Sequence, residues 1–234
     1  MSQASLARWA LIASVIAGVS YIASWEQALP MAVDTIWKGA GVGLLTVYAA
    51  LKARSTDGWL LAAVMALGTL GDVLLVTSGL TIGALAFLAG HLVAIVLYAR
   101  NRRRFSLPVF LAAAALIPVV TGVAFHLPAD RAGAPGVALY SLGLSTMAAS
   151  ALLSRFPRAQ VGLGALMFVA SDLLIFARGG LMPATFATGL AVWGLYYAGQ
   201  FLICVGVSRT LSTAHPREGG DPSRDERANI INAA

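Results

Sequence analysis

Apolar runs of about 20 residues recur along almost the whole chain, and no other feature constrains the fold as much. A helix needs about 20 mostly apolar residues to cross a bilayer core of ~30 Å. The stretches that qualify are Leu6–Ser24, Val33–Leu51, Gly58–Thr77, Ile82–Ala99, Ser106–Phe125, Gly136–Ser154, Gln160–Phe176 and Thr185–Val207. In lipid the backbone has no water to bond, so each crossing segment closes its hydrogen bonds internally as a helix. Only 11% of the residues are charged, against roughly 25% in soluble domains. The expected fold is all-α. A polytopic membrane bundle of about eight transmembrane helices occupies residues 1–208, and a disordered cytoplasmic tail follows over 209–234. The tail is polar, with Gly, Pro and mixed charge, and buries too little apolar surface to fold alone.

The breaks between runs are short. Thr77-Ser78-Gly79 reads as a tight turn, and Arg178-Gly179-Gly180 with Pro183 separates the last two helices. Pro118 falls inside the fifth helix and is expected to kink it. A single cysteine, Cys204, excludes an internal disulfide.

The net charge of +6 is distributed by topology rather than as a nucleic-acid surface. Arg8, Lys52, Arg54, Arg100, Arg102, Arg103, Arg104, Arg155, Arg158 and the basic residues after the eighth helix fall on one side of an eight-helix arrangement. Lys38, Arg131 and Arg178 fall toward the other. Cytoplasmic connections carry the excess of Lys and Arg, so both termini are expected in the cytoplasm. The chain is read as an integral membrane protein, of the cell (inner) membrane if it is bacterial. No feature sets an oligomeric state.

A weak internal echo links Gly71-Asp72-Val73-Leu74-Leu75 and Ala89-Gly90-His91 to Ser171-Asp172-Leu173-Leu174 and Ala198-Gly199-Gln200. The copies lie on helices three and four and on helices seven and eight. That spacing fits two parallel four-helix repeats.

Ionisable groups inside the apolar runs point to a site, since each costs roughly 2.5–3.5 kcal/mol on insertion scales. Asp72 lies about 14 residues into the third helix, or ~21 Å at ~1.5 Å per residue. Asp172 lies at similar depth in the seventh. Lys38 opens the second helix within reach of that layer, and Tyr140 lies early in the sixth. His91 is near the middle of the fourth helix, and Tyr196, Tyr197 and Gln200 form a polar stretch in the eighth. These groups describe either a pocket with acid and base groups or an Asp–Lys–Asp network that only holds helices together. Glu26, Asp34, Asp130 and Arg131 read as solvated loop residues. No His-x-x-x-His or Cys cluster offers a metal site, and no Gly-x-Ser-x-Gly offers a serine nucleophile.

The segments Gly71-Asp72-Val73-Leu74-Leu75 and Phe87-Leu88-Ala89-Gly90-His91-Leu92 resemble the first signature of the YhhN-like lysoplasmalogenase family. Ala170-Ser171-Asp172-Leu173-Leu174 and Tyr196-Tyr197-Ala198-Gly199-Gln200-Phe201 resemble its second. Lys38 resembles that family's lysine, although Gly39 follows it where the family commonly has proline. The resemblance implies an eight-helix integral membrane hydrolase. It would cleave the vinyl-ether bond of a lysophospholipid substrate drawn from membrane lipid, releasing a fatty aldehyde and glycerophosphoethanolamine or glycerophosphocholine. Asp72 and Asp172 would be the catalytic acid and base, with Lys38, His91, Tyr140, Tyr197 and Gln200 around the substrate, and no cofactor or metal. The alternative is a lipid or small-molecule transporter or binding protein using the same intramembrane pocket. A ceramidase-type amidase would need a histidine-bound zinc, and a scaffold would use the aspartates only for packing.

Overall fold

The computed structural model describes residues 2–178 and 180–213. Among these the chain is helical throughout, with isolated backbone bridges but no strand. The helices are α1 (Gln3–Ser20, extended by a 3-10 turn Tyr21–Ser24), α2 (Met31–Lys52), α3 (Thr56–Thr77), α4 (Leu80–Arg100), α5 (Leu107–His126), α6 (Ala134–Leu153), α7 (Leu163–Arg178, entered through a π turn Arg158–Gly162) and α8 (Phe186–Thr213). Each expected apolar run is one of these helices. Seven of them are long and apolar enough to cross a membrane. The remaining one, α2, has the length at 22 residues, but Asp34, Lys38 and Lys52 lower its apolarity. This is a helical membrane protein.

Local chemistry explains the boundaries. The Ser2 and Ser55 side chains accept from the backbone N–H of Ser5 and Gly58, capping α1 and α3. Pro108 and Pro135 sit in the first turns of α5 and α6, where the missing N–H is not needed. Gly79 has φ +88°, a conformation side chains resist, and it turns α3 into α4. The α5 helix stays continuous through Pro118. The α8 helix continues to Thr213, so Arg209–Thr213 are helical, and the rest of the expected tail lies outside the described residues.

Neighbouring helices pack as the hairpins α1–α2, α3–α4, α5–α6 and α7–α8, with α2 also against α3 and α8, and α4 against α6. Between apolar helices in lipid the attraction is close packing, which small residues permit. A Cβ on Gly164 would lie 2.7 Å from the carbonyl oxygen of Gly199, and one on Gly199 the same distance from that of Gly164. The backbones of α7 and α8 therefore touch along a two-glycine seam. A Cβ on Gly18 would meet the Tyr197 ring at 2.4 Å, so α1 is notched to receive α8. Leu45, Leu61, Met65, Leu97, Tyr98, Leu144, Met147 and Phe156 fill the interior. Ile16, Val19, Ile36, Leu107, Val119 and Leu139 lie on the outside, the arrangement that suits an apolar solvent.

The two ends of the bundle differ. One holds the arginine-rich connections after α4 and α6, with Arg100 paired to Asp57 at 2.7 Å. The other holds the connections after α1, α3, α5 and α7, where Pro128 and Gly180 form a backbone bridge between two of them.

Candidate functional site

A cavity of about 820 Å³ opens at the second, arginine-poor end. Its floor includes Asp72 and Asp172, each about one and a half turns from the end of its helix. Its walls are aromatic, with Tyr21, Trp25, Phe87, Trp193 and Tyr196 among them. Lys38 joins the wall from α2, and Glu26, Asp34 and Arg178 lie toward the mouth. This volume is within the ordinary range of ligand pockets, roughly 300–1,000 Å³.

Each aspartate is held by a tyrosine from a different helix. The Tyr196 hydroxyl in α8 donates to Oδ2 of Asp72 at 2.7 Å. The Tyr140 hydroxyl in α6 donates to Oδ2 of Asp172 at 2.5 Å. Asp72 is 1% exposed and Asp172 is 6% exposed, so both carboxyls are nearly sealed from everything except the cavity. Nε2 of His91 lies 3.2 Å from the Tyr140 oxygen. With the tyrosine hydrogen committed to Asp172, Nε2 of His91 is the donor in this pair. The chain His91–Tyr140–Asp172 thus runs from α4 through α6 to α7. Phe168 meets the rings of Phe87, His91 and Tyr196 edge-on, with centroids 6.0, 5.0 and 5.2 Å away, which fixes the inner wall.

Of the seven residues expected at the site, three reach the cavity and four do not. Asp72, Asp172 and Lys38 line the cavity. Tyr140 and His91 stand behind Asp172. His91 and Gln200 border a separate void of about 20 Å³. Tyr197 is turned away from the cavity. Its hydroxyl pairs with Ser14 Oγ at 2.9 Å, and Ser14 donates to the Gly41 carbonyl at 2.6 Å. That makes Tyr197 a joint between α8, α1 and α2. Among the described residues the one ion pair is Arg100–Asp57, so Lys38 bridges neither aspartate. The tyrosines do the holding that an Asp–Lys–Asp network would have done.

Three features were not anticipated. Tyr196, not Tyr197, reaches the cavity, and its i, i+4 spacing to Gln200 is the signal that places those two on one helix face. Asp34 belongs to the first turn of α2, accepts from Ser24 Oγ at 3.2 Å and lines the cavity, as does Glu26. Ser171, beside Asp172, donates to the Val192 carbonyl at 2.9 Å and ties α7 to α8 at the cavity wall. Among the described residues no three His, Cys, Asp or Glu side chains stand together as a metal site.

The model of the YhhN family matches residues 33–207, a span that holds Lys38, both aspartates, both of their tyrosines and His91. Searches of curated proteins and of solved structures return no match.

Proposed function

The chain belongs to the YhhN family, and from that membership we propose that it hydrolyses the vinyl-ether bond of lysoplasmalogens within the membrane. One observation carries the reading. Two buried carboxyls, Asp72 and Asp172, face the same cavity, and each has a tyrosine donor fixing its orientation. Buried charge of this kind is costly to keep in a membrane and is retained at functional sites.

The chemistry needs such a pair. A carboxylic acid gives its proton to the β-carbon of the vinyl ether, and the ether oxygen shares the resulting positive charge as an oxocarbenium ion. Water adds to the α-carbon and gives up a proton to a carboxylate. In the collapse of the hemiacetal the first carboxylate takes back a proton from the hemiacetal hydroxyl and the second carboxyl gives its proton to the glycerol oxygen. The bond to that oxygen breaks, the glycerol leaves as an alcohol and the alkyl fragment leaves as a fatty aldehyde. The net change consumes one water and returns both carboxyls to their starting protonation. Asp72 and Asp172 supply the acid and the carboxylate. Tyr196 and Tyr140 hold one oxygen of each carboxyl and so set the direction of the other. His91 orients Tyr140 from behind, Lys38 brings positive charge to the cavity wall, and Gln200 packs beneath Tyr196. The aromatic walls suit an alkenyl chain.

Placement of the arginine-rich connections in the cytoplasm puts both termini there and opens the cavity toward the opposite leaflet. The test is aldehyde release from a lysoplasmenyl-ethanolamine by the purified protein in detergent, with EDTA present. Asp72→Asn and Asp172→Asn run beside the wild type. Aldehyde from the wild type alone is the expected result. Equal release by both variants removes the two-carboxyl mechanism. Binding of the lipid without product by a folded wild type moves the assignment to a lipid transporter or binding protein.

A further inference from the structure

At the end of the bundle opposite the cavity, the connections 101–106 and 154–157 run side by side. The Arg155 N–H donates to the Asn101 carbonyl at 2.8 Å, and the Arg103 N–H donates to the Leu153 carbonyl at 3.3 Å. Arg102 and Ser154 form an antiparallel bridge between them. This ribbon gathers Arg102, Arg103 and Arg104 from one connection with Arg155 and Arg158 from the other. Asp57 is the acid at this end among the described residues, and it is already committed. Its two oxygens take Arg100 Nε at 2.7 Å and Asn101 Nδ2 at 2.8 Å.

Neighbouring arginines find acceptors on the chain itself. Arg54 Nη1 donates to the carbonyls of Leu51 and Ala53, and Arg158 Nε donates to that of Leu152 at 3.1 Å. Arg103 does not. Its Nε and Nη2 are both covered, and neither has an acceptor among the described residues. Burial, and then the adjacent Arg158 charge, hold the Arg103 guanidinium below its ordinary pKa. Arginine does not escape such a position by losing its proton. Covered donors without acceptors are among the more expensive defects a fold can carry, and more so when charged.

Nε–H and the adjacent Nη2–H form one edge of the guanidinium fork, and because Arg103 as a whole is part-exposed, a rotation of its side chain turns that covered edge outward to an arriving headgroup. That edge matches two oxygens of a phosphate or carboxylate. We propose that Arg103, with Arg158 beside it, forms a binding site for the phosphate oxyanion of an anionic phospholipid. The site lies where α4 ends and α5 begins, at the level where a headgroup would sit. The exposed Phe105, Leu107 and Leu111 give apolar surface next to it for acyl chains. Basic pockets between membrane helices on the cytoplasmic side suit such headgroups, and the surplus of arginines favours lipids with net negative charge. The site is independent of the chemistry in the cavity.

The experiment uses the full chain, purified and stripped of lipid in detergent. Short-chain phosphatidylglycerol, short-chain phosphatidylcholine and inorganic phosphate are titrated separately, with binding read by native mass spectrometry and by the thermal unfolding midpoint. The wild type is expected to bind phosphatidylglycerol at least about tenfold more tightly than phosphatidylcholine. Arg103→Gln should lose that preference, and Arg103→Lys should lose part of it, because a point charge replaces the fork. Arg104→Gln, at an exposed position, should keep it. If Arg103→Gln does not fold, Arg103→Lys and Arg158→Gln carry the test. Wild-type affinity for phosphatidylglycerol in all of the Arg103 and Arg158 variants overturns the proposal. Inorganic phosphate binding as tightly as phosphatidylglycerol, with the same dependence on Arg103, overturns the lipid as the source. A chain ending at Thr213 that binds phosphatidylglycerol when the full chain does not would give Arg103 to a tail carboxylate such as Glu218 or Asp221, and would also overturn it.

Discussion

The Tyr196 hydroxyl donates to Oδ2 of Asp72 at 2.7 Å, joining α8 to α3 at the floor of the cavity. Removing it as Tyr196→Phe keeps the ring, which packs against Phe87 and Phe168, and deletes only the donor. A hydrogen bond to a charged group is worth about 1.5–3 kcal/mol. Aldehyde release should therefore fall by about 10- to 100-fold, and the unfolding midpoint should fall as well, because an oxygen of buried Asp72 loses its donor. An unchanged rate would mean that the orientation of Asp72 does not matter to the reaction.

Tyr140→Phe tests the second aspartate in the same way, with a further consequence. His91 Nε2 loses its acceptor as Asp172 loses its donor. Both a rate loss and a lower unfolding midpoint are expected, because two buried polar groups are left unpaired, each at about 1–3 kcal/mol. Comparison with His91→Phe separates the contributions. A double variant no worse than Tyr140→Phe alone would show that His91 acts only through Tyr140.

Tyr197→Phe is the contrasting case. The hydroxyl it deletes bonds Ser14, outside the cavity. The unfolding midpoint should drop by the equivalent of about 1 kcal/mol, while the rate of aldehyde release stays at the wild-type value. A rate loss with unchanged stability would place Tyr197 at the reacting lipid after all.

Gly18→Ala should be among the more damaging single-methyl changes in the bundle. The added Cβ would sit 2.4 Å from Tyr197 Cζ, and the ring is held from behind by Trp193, whose plane is tilted only 16° from it. Overpacking of this kind costs typically about 1–3 kcal/mol. Gly122→Ala, where nothing lies within 4 Å, is the control and should be neutral. Equal unfolding midpoints for the two variants would show that α1 and α8 are not seated this closely.

Apolar run length carried most of the fold, because a crossing helix must hide its backbone over a fixed thickness. It succeeded for α1 and for α3 through α8 and was weakest at α2, where Asp34 and Lys38 interrupt the run. The aspartates were legible for a related reason, since a carboxyl deep in such a run is costly enough to stand out. Which neighbour holds each one was not legible. A helix that is apolar all round gives no periodicity from which to choose between Tyr196 and Tyr197, and the two point about 100° apart. Partners such as Tyr140 for Asp172 depend on how α6 meets α7, which no local pattern encodes. Glu26 and Asp34 read as solvated because loops are usually wet, whereas here the 3-10 turn Tyr21–Ser24 folds their segment over the cavity. Arg103 was visible only as one more charge on the arginine-rich side.

The glycine contact between α7 and α8 also decides how the molecule can breathe. Two backbones in touch at Gly164 and Gly199 behave as a single stiff blade, and Asp172 and Tyr196 are both mounted on it. Spreading of that blade is therefore a poor way to admit a bulky guest. Any compliance falls instead to the cavity rim outside the helices, where residues 25–30 form an irregular connection between the 3-10 turn and α2, resting on α8 through Trp25 and Phe186. The rigid jaw carries the groups that must stay aligned, and the soft jaw adjusts to what enters.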